Sequence, residues 1–329
     1  MEQPHNSGPV GAEPAQSSAP AMRIGAAVTA YHPDQRLAAV VKAALESCRE
    51  LVVVDNTPPG AAGPAAADLV GGLGATVVRP GANLGLAGAL NLAVRELGDG
   101  PEAFLFLDQD SELPPETVAA LAAHLDDPAV GIAAPTPWDR ESGSDYDNLA
   151  AIRADVADRT DVITSGMLVR RACLEQAGPF REDFFVDFID IEFCMRLRRT
   201  GARLVQDWDQ KLPHTMGDRR EHRIGPWRIR VSHYPAWRHY WIARNSLRVN
   251  ADNFREHPGA FIASGRYLTQ RFLGAVLYMP PRGRQVLALA RGVRDGLTGH
   301  TSRRYLPPGA HLAGKAPAAG AAARTPAER

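Results

Sequence analysis

Residues Phe104–Pro115 read FLFLDQDSELPP. Four apolar residues run into Asp108 and Asp110, and two prolines close the segment. A short apolar run that stops at polar residues reads as a buried strand reaching the surface. The two aspartates then have two uses. Paired oxygen ligands suit Mg2+ or Mn2+, which keep water and lean on substrate phosphates. A solvated acidic turn accounts for them equally well.

The same pattern occurs twice upstream. Ile24–Thr29 is an apolar run leaving at Thr29-Ala30-Tyr31, and Leu51–Val54 is a β-rich run stopping at Asp55-Asn56. Between them Asp34–Ser47 reads as a helix, with Leu37, Val41 and Leu45 in one column. A Gly/Pro/Ala-rich linker, a small strand Ala75–Arg79 and a helix from the Asn83 loop to about Leu97 precede Phe104–Leu107, and Glu116–Leu125 reads as the next helix. Strands alternating with helices over short connections predict an α/β fold with a mostly parallel central sheet flanked by helices. Ligands in such sheets sit beyond the carboxyl ends of the strands. Three polar strand exits therefore point to one crevice.

The second half changes character. Val162–Arg170 reads as a strand with Ser165-Gly166 inside it, and Phe184–Arg199 as a strand turning into a helix. Ala236–Val249 and Ala260–Leu277 read as helices, the latter amphipathic with Phe261, Leu268, Phe272 and Val276 on one side. Residues 1–21 and 307–329 are expected to be disordered tails, 22–250 the catalytic domain and 251–306 a C-terminal helical extension that either associates with a membrane or only packs its apolar face on the domain.

With 329 residues, 45% hydrophobic and 22% charged, the composition is that of a globular protein. Thirty-seven basic residues balance 37 acidic ones, so the whole-molecule charge argues for no partner, and no nucleic acid is expected. The distribution is uneven. Eight arginines lie between Arg266 and Arg304 against Asp295 alone, which suits phosphates or an anionic membrane surface. The cysteines Cys48, Cys173 and Cys194 are widely spaced, which argues against a disulfide framework or a zinc site and for a reducing compartment. No signal peptide and no apolar run of membrane-spanning length is present, so a cytoplasmic protein is expected.

Three further constellations carry chemistry. In Asn83–Asn91, NLGLAGALN, Gly85 and Gly88 permit close packing at a helix start, where an anion is favoured, while Asn83 serves equally as a helix cap. In Phe184–Arg199, FFVDFIDIEFCMRLRR, Glu192 and Arg196 read as a surface salt bridge, while Asp187 and Asp190 stand at the helix start. An ionised carboxylate there can act as a general base, or cap the helix. His214 in LPHTMGD matters only if the fold returns it to the aspartates.

A strand followed by D-x-D is also found in haloacid-dehalogenase-like phosphatases, but Glu112 and the position beyond the third strand do not suit that motif. The joint order of TAYHPD, VVVDN, NLGLAGALN, FLFLDQDS, TSGMLVRR, FVDFIDIEFCMRLRRTG, LPHTMGD and RHYWIARN resembles the family 2 glycosyltransferases of GT-A fold, closely the rhamnosyltransferase-like branch. The resemblance covers roughly Arg23 to Asn250. It implies an inverting transfer from a nucleotide-diphospho-sugar, dTDP-rhamnose or else a UDP-sugar, to a hydroxyl of a glycan, lipid-linked or small-molecule acceptor. By resemblance, Asp110 and His214 hold Mg2+ or Mn2+. Thr29, Ala30, Tyr31, Asp55, Asn56, Asn83, Gly85, Asn91, Asp108, Gln109, Tyr240 and Arg244 hold the donor. Ser165, Gly166 and Asp187 line the acceptor side, and Asp190 is the base. The departure is Ile189, where relatives carry a carboxylate, so Asp187 is the alternative base. An acceptor on a polyprenyl lipid would place the protein peripherally on the inner face of the plasma membrane, and a homo-oligomer stays open. The competing reading is a catalytically silent nucleotide-sugar-binding module. A nucleotidyltransferase would need a Gly-rich phosphate loop near Thr29, which TAYHPD lacks.

Overall fold

The computed structural model describes residues 22–139, 144–145, 156–214, 219–224, 227–256, 258–312 and 323–325. In chain order the elements are β1 (Ile24–Ala30), α1 (Arg36–Ser47), β2 (Glu50–Asp55), α2 (Ala66–Val70), β3 (Thr76–Arg79), α3 (Gly85–Leu97), β4 (Ala103–Asp108) and α4 (Pro115–His124). There follow β5 (Val130–Asp139), β6 (Ser144–Asp145), β7 (Val156–Asp158), β8 (Met167–Arg170), α5 (Arg171–Ala177), α6 (Ile189–Arg198) and β9 (Arg203–His214). A hairpin of β10 (Arg219–Ile224) and β11 (Trp227–Ser232) leads to α7 (Ala236–Asp252), α8 (Ala260–Tyr278), α9 (Arg282–Thr298) and β12 (Ala323–Thr325).

The central sheet runs β12-β3-β2-β1-β4-β8-β5-β9-β7, with β6 beside β5. Its β3-β2-β1-β4 portion is parallel, as the strand–helix alternation predicts. Beyond β4 the sheet is mixed, because β8 inserts antiparallel between β4 and β5. Successive side chains of a strand point to opposite faces, and both faces here are covered. Leu51, Val53, Leu105 and Leu107 join Leu37, Val41 and Leu121 on one side. Val52, Val54, Phe104 and Phe106 join Leu90, Phe193 and Leu197 on the other. Fully burying one such side chain is worth about 1.5–3 kcal/mol, so the continuous apolar runs decide which strands are central.

The C-terminal helices pack as a separate layer. α7 and α9 cross closely, because a Cβ on Gly292 would lie 2.4 Å from the main-chain oxygen of Tyr240 and one on Gly296 2.5 Å from that of Arg244. No helix of the described residues is long and apolar enough to cross a membrane. The three cysteines are buried and unpaired.

Several expectations are corrected. Residues 184–188 form no strand: a 3-10 turn at Glu182–Phe184 leads to left-handed Phe185, Asp187 and Phe188. The Glu192–Arg196 pair (2.8 Å) is not a surface bridge. Glu192 is buried, and Arg196 also donates to the main chain of Ala177 and Gly178. Only Met167–Arg170 of the segment 162–170 is strand, because the turn through Gly166 precedes it. The expected tail 1–21 lies outside the described residues. Parts of the expected tail 307–329 belong to the fold. Asn83 bonds through its main chain to Gly309 (3.0 Å) and His311 (2.8 Å), and β12 pairs with β3.

Candidate active site

The parallel register brings the strand exits together. Thr29 lies beside Asp108, and Ala30 beside Asp55. A cleft of about 520 Å3 opens there, walled by Thr29, Ala30, Tyr31, Asn56, Asn83 and Gly85 and by Asp108, Gln109 and Asp110. These nine were all singled out from the sequence. The main-chain NH of Tyr31 donates to Gln109 Oε1 at 2.8 Å, which ties the first exit to the third. Asn56 Nδ2 donates to Asn83 Oδ1 (2.9 Å) and to the carbonyl of Gly85 (3.0 Å). Asn56 Oδ1 in turn accepts from the NH of Leu84, and Asn83 Oδ1 from that of Gly85. The second exit and the start of α3 thus form one hydrogen-bonded unit.

The opposite wall comes from the C-terminal half: Phe185, Val186, Trp237, Arg238 and Pro307. Gly85 makes this approach possible. Its φ is +75°, and a Cβ there would lie 2.4 Å from the Phe185 carbonyl oxygen, which instead accepts from Leu86 NH at 2.7 Å. Among the described residues, the four non-glycine residues with left-handed backbone are His32, Phe185, Asp187 and Phe188. All lie on or within three residues of the cleft wall. Such backbone costs on the order of 1–3 kcal/mol per residue and concentrates at functional sites. The strained loop is pinned by Asn245, whose Nδ2 donates to the carbonyls of Phe184 (2.7 Å), Val186 (2.8 Å) and Asp187 (3.0 Å).

Asp187 is bound by Arg238 through Nε (3.0 Å) and Nη2 (2.9 Å). Asp190 sits one turn further along, at the start of α6, where its Oδ1 accepts from Ile191 NH at 2.9 Å. Burial pushes its carboxyl up to about 6, and the Asp161 and Asp187 carboxylates push the same way, against the Ile191 hydrogen bond. Beside it lies a second groove of about 530 Å3, lined by Asp161, Phe188, Ile191, Met195, Val249 and Ala263 among others. A carboxyl raised by burial beside a groove can take a proton from a bound hydroxyl.

Four expected donor residues do not reach the cleft. Asp55 is buried, accepting from Thr57 NH and Ala66 NH (both 3.1 Å) and pairing with Arg79 (3.3 Å). Asn91 clamps Phe180 and Glu182. Tyr240 donates to buried Asp295 at 2.9 Å and stacks on Tyr305. Arg244 has its donors spent on Asp183, Asn245, His300 and Thr301. Ser165 and Gly166 lie beneath Asp108: Asp108 NH points to Ser165 Oγ (3.4 Å), and Gly166 NH to the Phe106 carbonyl (2.8 Å). The main chain of His214 closes β9, and its side chain lies outside the described residues.

Trp237, Arg238 and Asn245 were missed, although the aromatic and basic density of WRHYWIARN is a signal for them. Pro307 and Arg36 had none. Arg36 pairs with Asp110 at 3.3 Å.

Asp108 and Asp110 offer carboxylates on one wall. Among the described residues, no group of three His, Cys, Asp or Glu side chains could hold a metal ion alone. This donor set fits Mg2+ or Mn2+, which take one or two carboxylates and complete the shell with water and substrate phosphate.

Comparison with known proteins gives matches of three kinds. Residues 26–223 match the family described as Glycosyl transferase family 2. A curated relative, the dTDP-rhamnosyl transferase RfbF of Shigella flexneri, is 27% identical over 244 residues, 70% of this chain and 80% of that protein. The crystal structure of GalNAc-T7 with UDP, GalNAc and Mn2+ superposes with a TM-score of 0.53 at 11% identity. It covers 87% of this chain, which spans 56% of that one.

Proposed function

The chain belongs to glycosyl transferase family 2, and from that premise we propose that it moves L-rhamnose from dTDP-rhamnose to an acceptor hydroxyl with inversion. The fold is GT-A, and the name of the Shigella flexneri relative supports the choice of donor. One observation carries the reading. Three parallel strand exits and Asp110 wall a single cleft, and a carboxyl raised to about 6 lies a few residues beyond the loop that closes it.

In this reading Thr29, Tyr31, Asn56, Asn83 and Gln109 hold the nucleoside, and Arg238 faces the diphosphate. Asp108 and Asp110 hold Mg2+ or Mn2+, which when bound would offset the charge on the departing nucleoside diphosphate. Asp190 takes the proton of the acceptor hydroxyl, presented from the groove between Asp161, Phe188 and Ile191. Both oxygens of Asp187 are engaged by Arg238, which supports the choice of Asp190 over Asp187 as the base.

The test is acceptor-dependent release of nucleoside diphosphate across a panel of dTDP- and UDP-sugars, with and without Mn2+. The expected result is the highest kcat/KM for dTDP-rhamnose. A better UDP-sugar overturns the donor assignment. Thermal stabilisation by a donor with no turnover on any acceptor would instead identify a silent binding module.

A further inference from the structure

We propose that the outer face of α8, with the start of α9, docks on an anionic lipid surface. This inference does not depend on which sugar is transferred.

The inner side of α8 is accounted for. Leu268, Gly274 and Ala275 are buried, and Phe261 and Phe272 pack into the cluster formed with α7 and α9. The outer side is not. Ile262, Leu273, Leu277 and Val276, the last expected on the side of Phe261 and Leu268 but turned away from it, are 46–72% exposed. With Arg266 and Thr269 they fall on one side at helical spacing. The C-terminal half, FLGAVLY, is therefore apolar nearly all round while only one side is covered. A helix of that kind requires a second apolar environment.

Charge selects what that environment is. From residue 257 to residue 294 there are six arginines and no Asp, Glu or Lys. Arg266, Arg282 and Arg284 are exposed and have no carboxylate partner among the described residues. Arg266 lies within the apolar stripe, and Arg282 reaches back to the main-chain oxygen of Leu277 at 3.5 Å, at the stripe's end. A second copy meeting this face about a two-fold axis would bring these arginines against their own counterparts, with no acidic residue in the segment to pair them. An anionic lipid surface satisfies both features: the aliphatic side chains enter the acyl boundary while the guanidinium groups stay at the phosphates. The helix would lie in the interface, since it cannot cross the bilayer.

The placement bears on the site. Gly259, Ala260, Ala263 and Ser264 at the start of α8 line the groove beside Asp190. Tyr267 meets Phe188 at 6.3 Å between ring centroids. A docked α8 brings that groove to the lipid boundary, where an acceptor carried on a lipid is concentrated.

The test is co-sedimentation of the full chain with phosphatidylcholine vesicles, with and without phosphatidylglycerol, at low and high salt. Binding is expected only with the anionic lipid and should fall with salt. The double variant Leu273→Glu, Val276→Glu should cut the bound fraction about tenfold or more. Because both positions are exposed, its thermal midpoint should match the parent, so a loss of binding is not unfolding. Arg282→Gln with Arg284→Gln should weaken binding while leaving the apolar stripe intact. No binding to anionic vesicles at low salt, or binding unaffected by the glutamates, overturns the proposal. So does a concentration-dependent dimer that the glutamates abolish, which would give this face to a second copy.

Discussion

Asp187 and Arg238 face each other as a two-point ion pair, at 2.9 and 3.0 Å, next to Val186 on the C-terminal wall of the cleft. The arginine holds one of the two carboxylates that are candidates for the base, and in the proposed reading Asp190 does the proton transfer. Asp190→Asn should lower turnover by about 10²–10⁴ with little change in donor KM. Asp187→Asn should cost less turnover and about 1–3 kcal/mol of stability, since it weakens a charge-assisted pair. Steady-state kinetics and urea unfolding of both variants check this, and the reverse ranking in turnover would move the role to Asp187.

The pH dependence follows from the same residue. Asp190 must be ionised to accept a proton, so kcat should rise with pH through about 6 and then level off. Stability should move the other way. Between the usual 3.8 and about 6 the folded chain holds a proton that the unfolded chain has lost. The stabilisation is therefore complete below that window and is lost as pH rises through it. A rate profile with no acidic limb in the parent, or the same limb in Asp190→Asn, would count against the assignment.

Gly85→Ala tests the closure of the two walls. A methyl group would meet the Phe185 carbonyl at 2.4 Å, on backbone with φ +75°. The loss should exceed about 1 kcal/mol, visible as a lower thermal midpoint, with a raised donor KM because Phe185 and Val186 line the cleft.

Asn245→Ala removes three hydrogen bonds to the strained loop at 184–187 without touching the cleft. We expect a fall of about 1–3 kcal/mol in stability and a drop in kcat as the loop relaxes. Hydrogen exchange localised to residues 184–188 would report the release directly.

For the metal, chelation should abolish turnover and Mn2+ should restore it. Asp110→Asn should need more Mn2+ for half-maximal rate, because it replaces one of two carboxylates with a neutral amide. Arg36→Gln, by freeing Asp110 from its 3.3 Å pair, should need less. Metal titrations of the two variants should thus shift in opposite directions.

The cleft's first wall was legible because buried parallel strands are continuous apolar runs, so their polar exits stand out in IGAAVTA, ELVVVD and AFLFLD. The second wall was not. Phe185, Asp187 and Phe188 adopt left-handed backbone that these residue types rarely take, held by partners 58–61 residues away in Asn245. β5 was hidden by Pro135 and Pro137, which ordinarily argue against a central strand. Its partner β9 was hidden by Trp208, Asp209 and Gln210, which the register skips between Asp207 and Lys211. Tyr240 and Arg244 were assigned to the donor by the resemblance, but buried polar groups in α7 are consumed by packing neighbours.

The bridge between Asn83 and residues 309–311 sets an order of events during synthesis. Asn83 holds the second strand exit, and Pro307 lines the cleft opposite it. The parallel strands β1 to β4 are complete by Asp108, but the cleft lacks part of its wall until the chain has been made past residue 311. A chain ended before residue 307 lacks that wall, so it should bind a sugar nucleotide more weakly than the full chain.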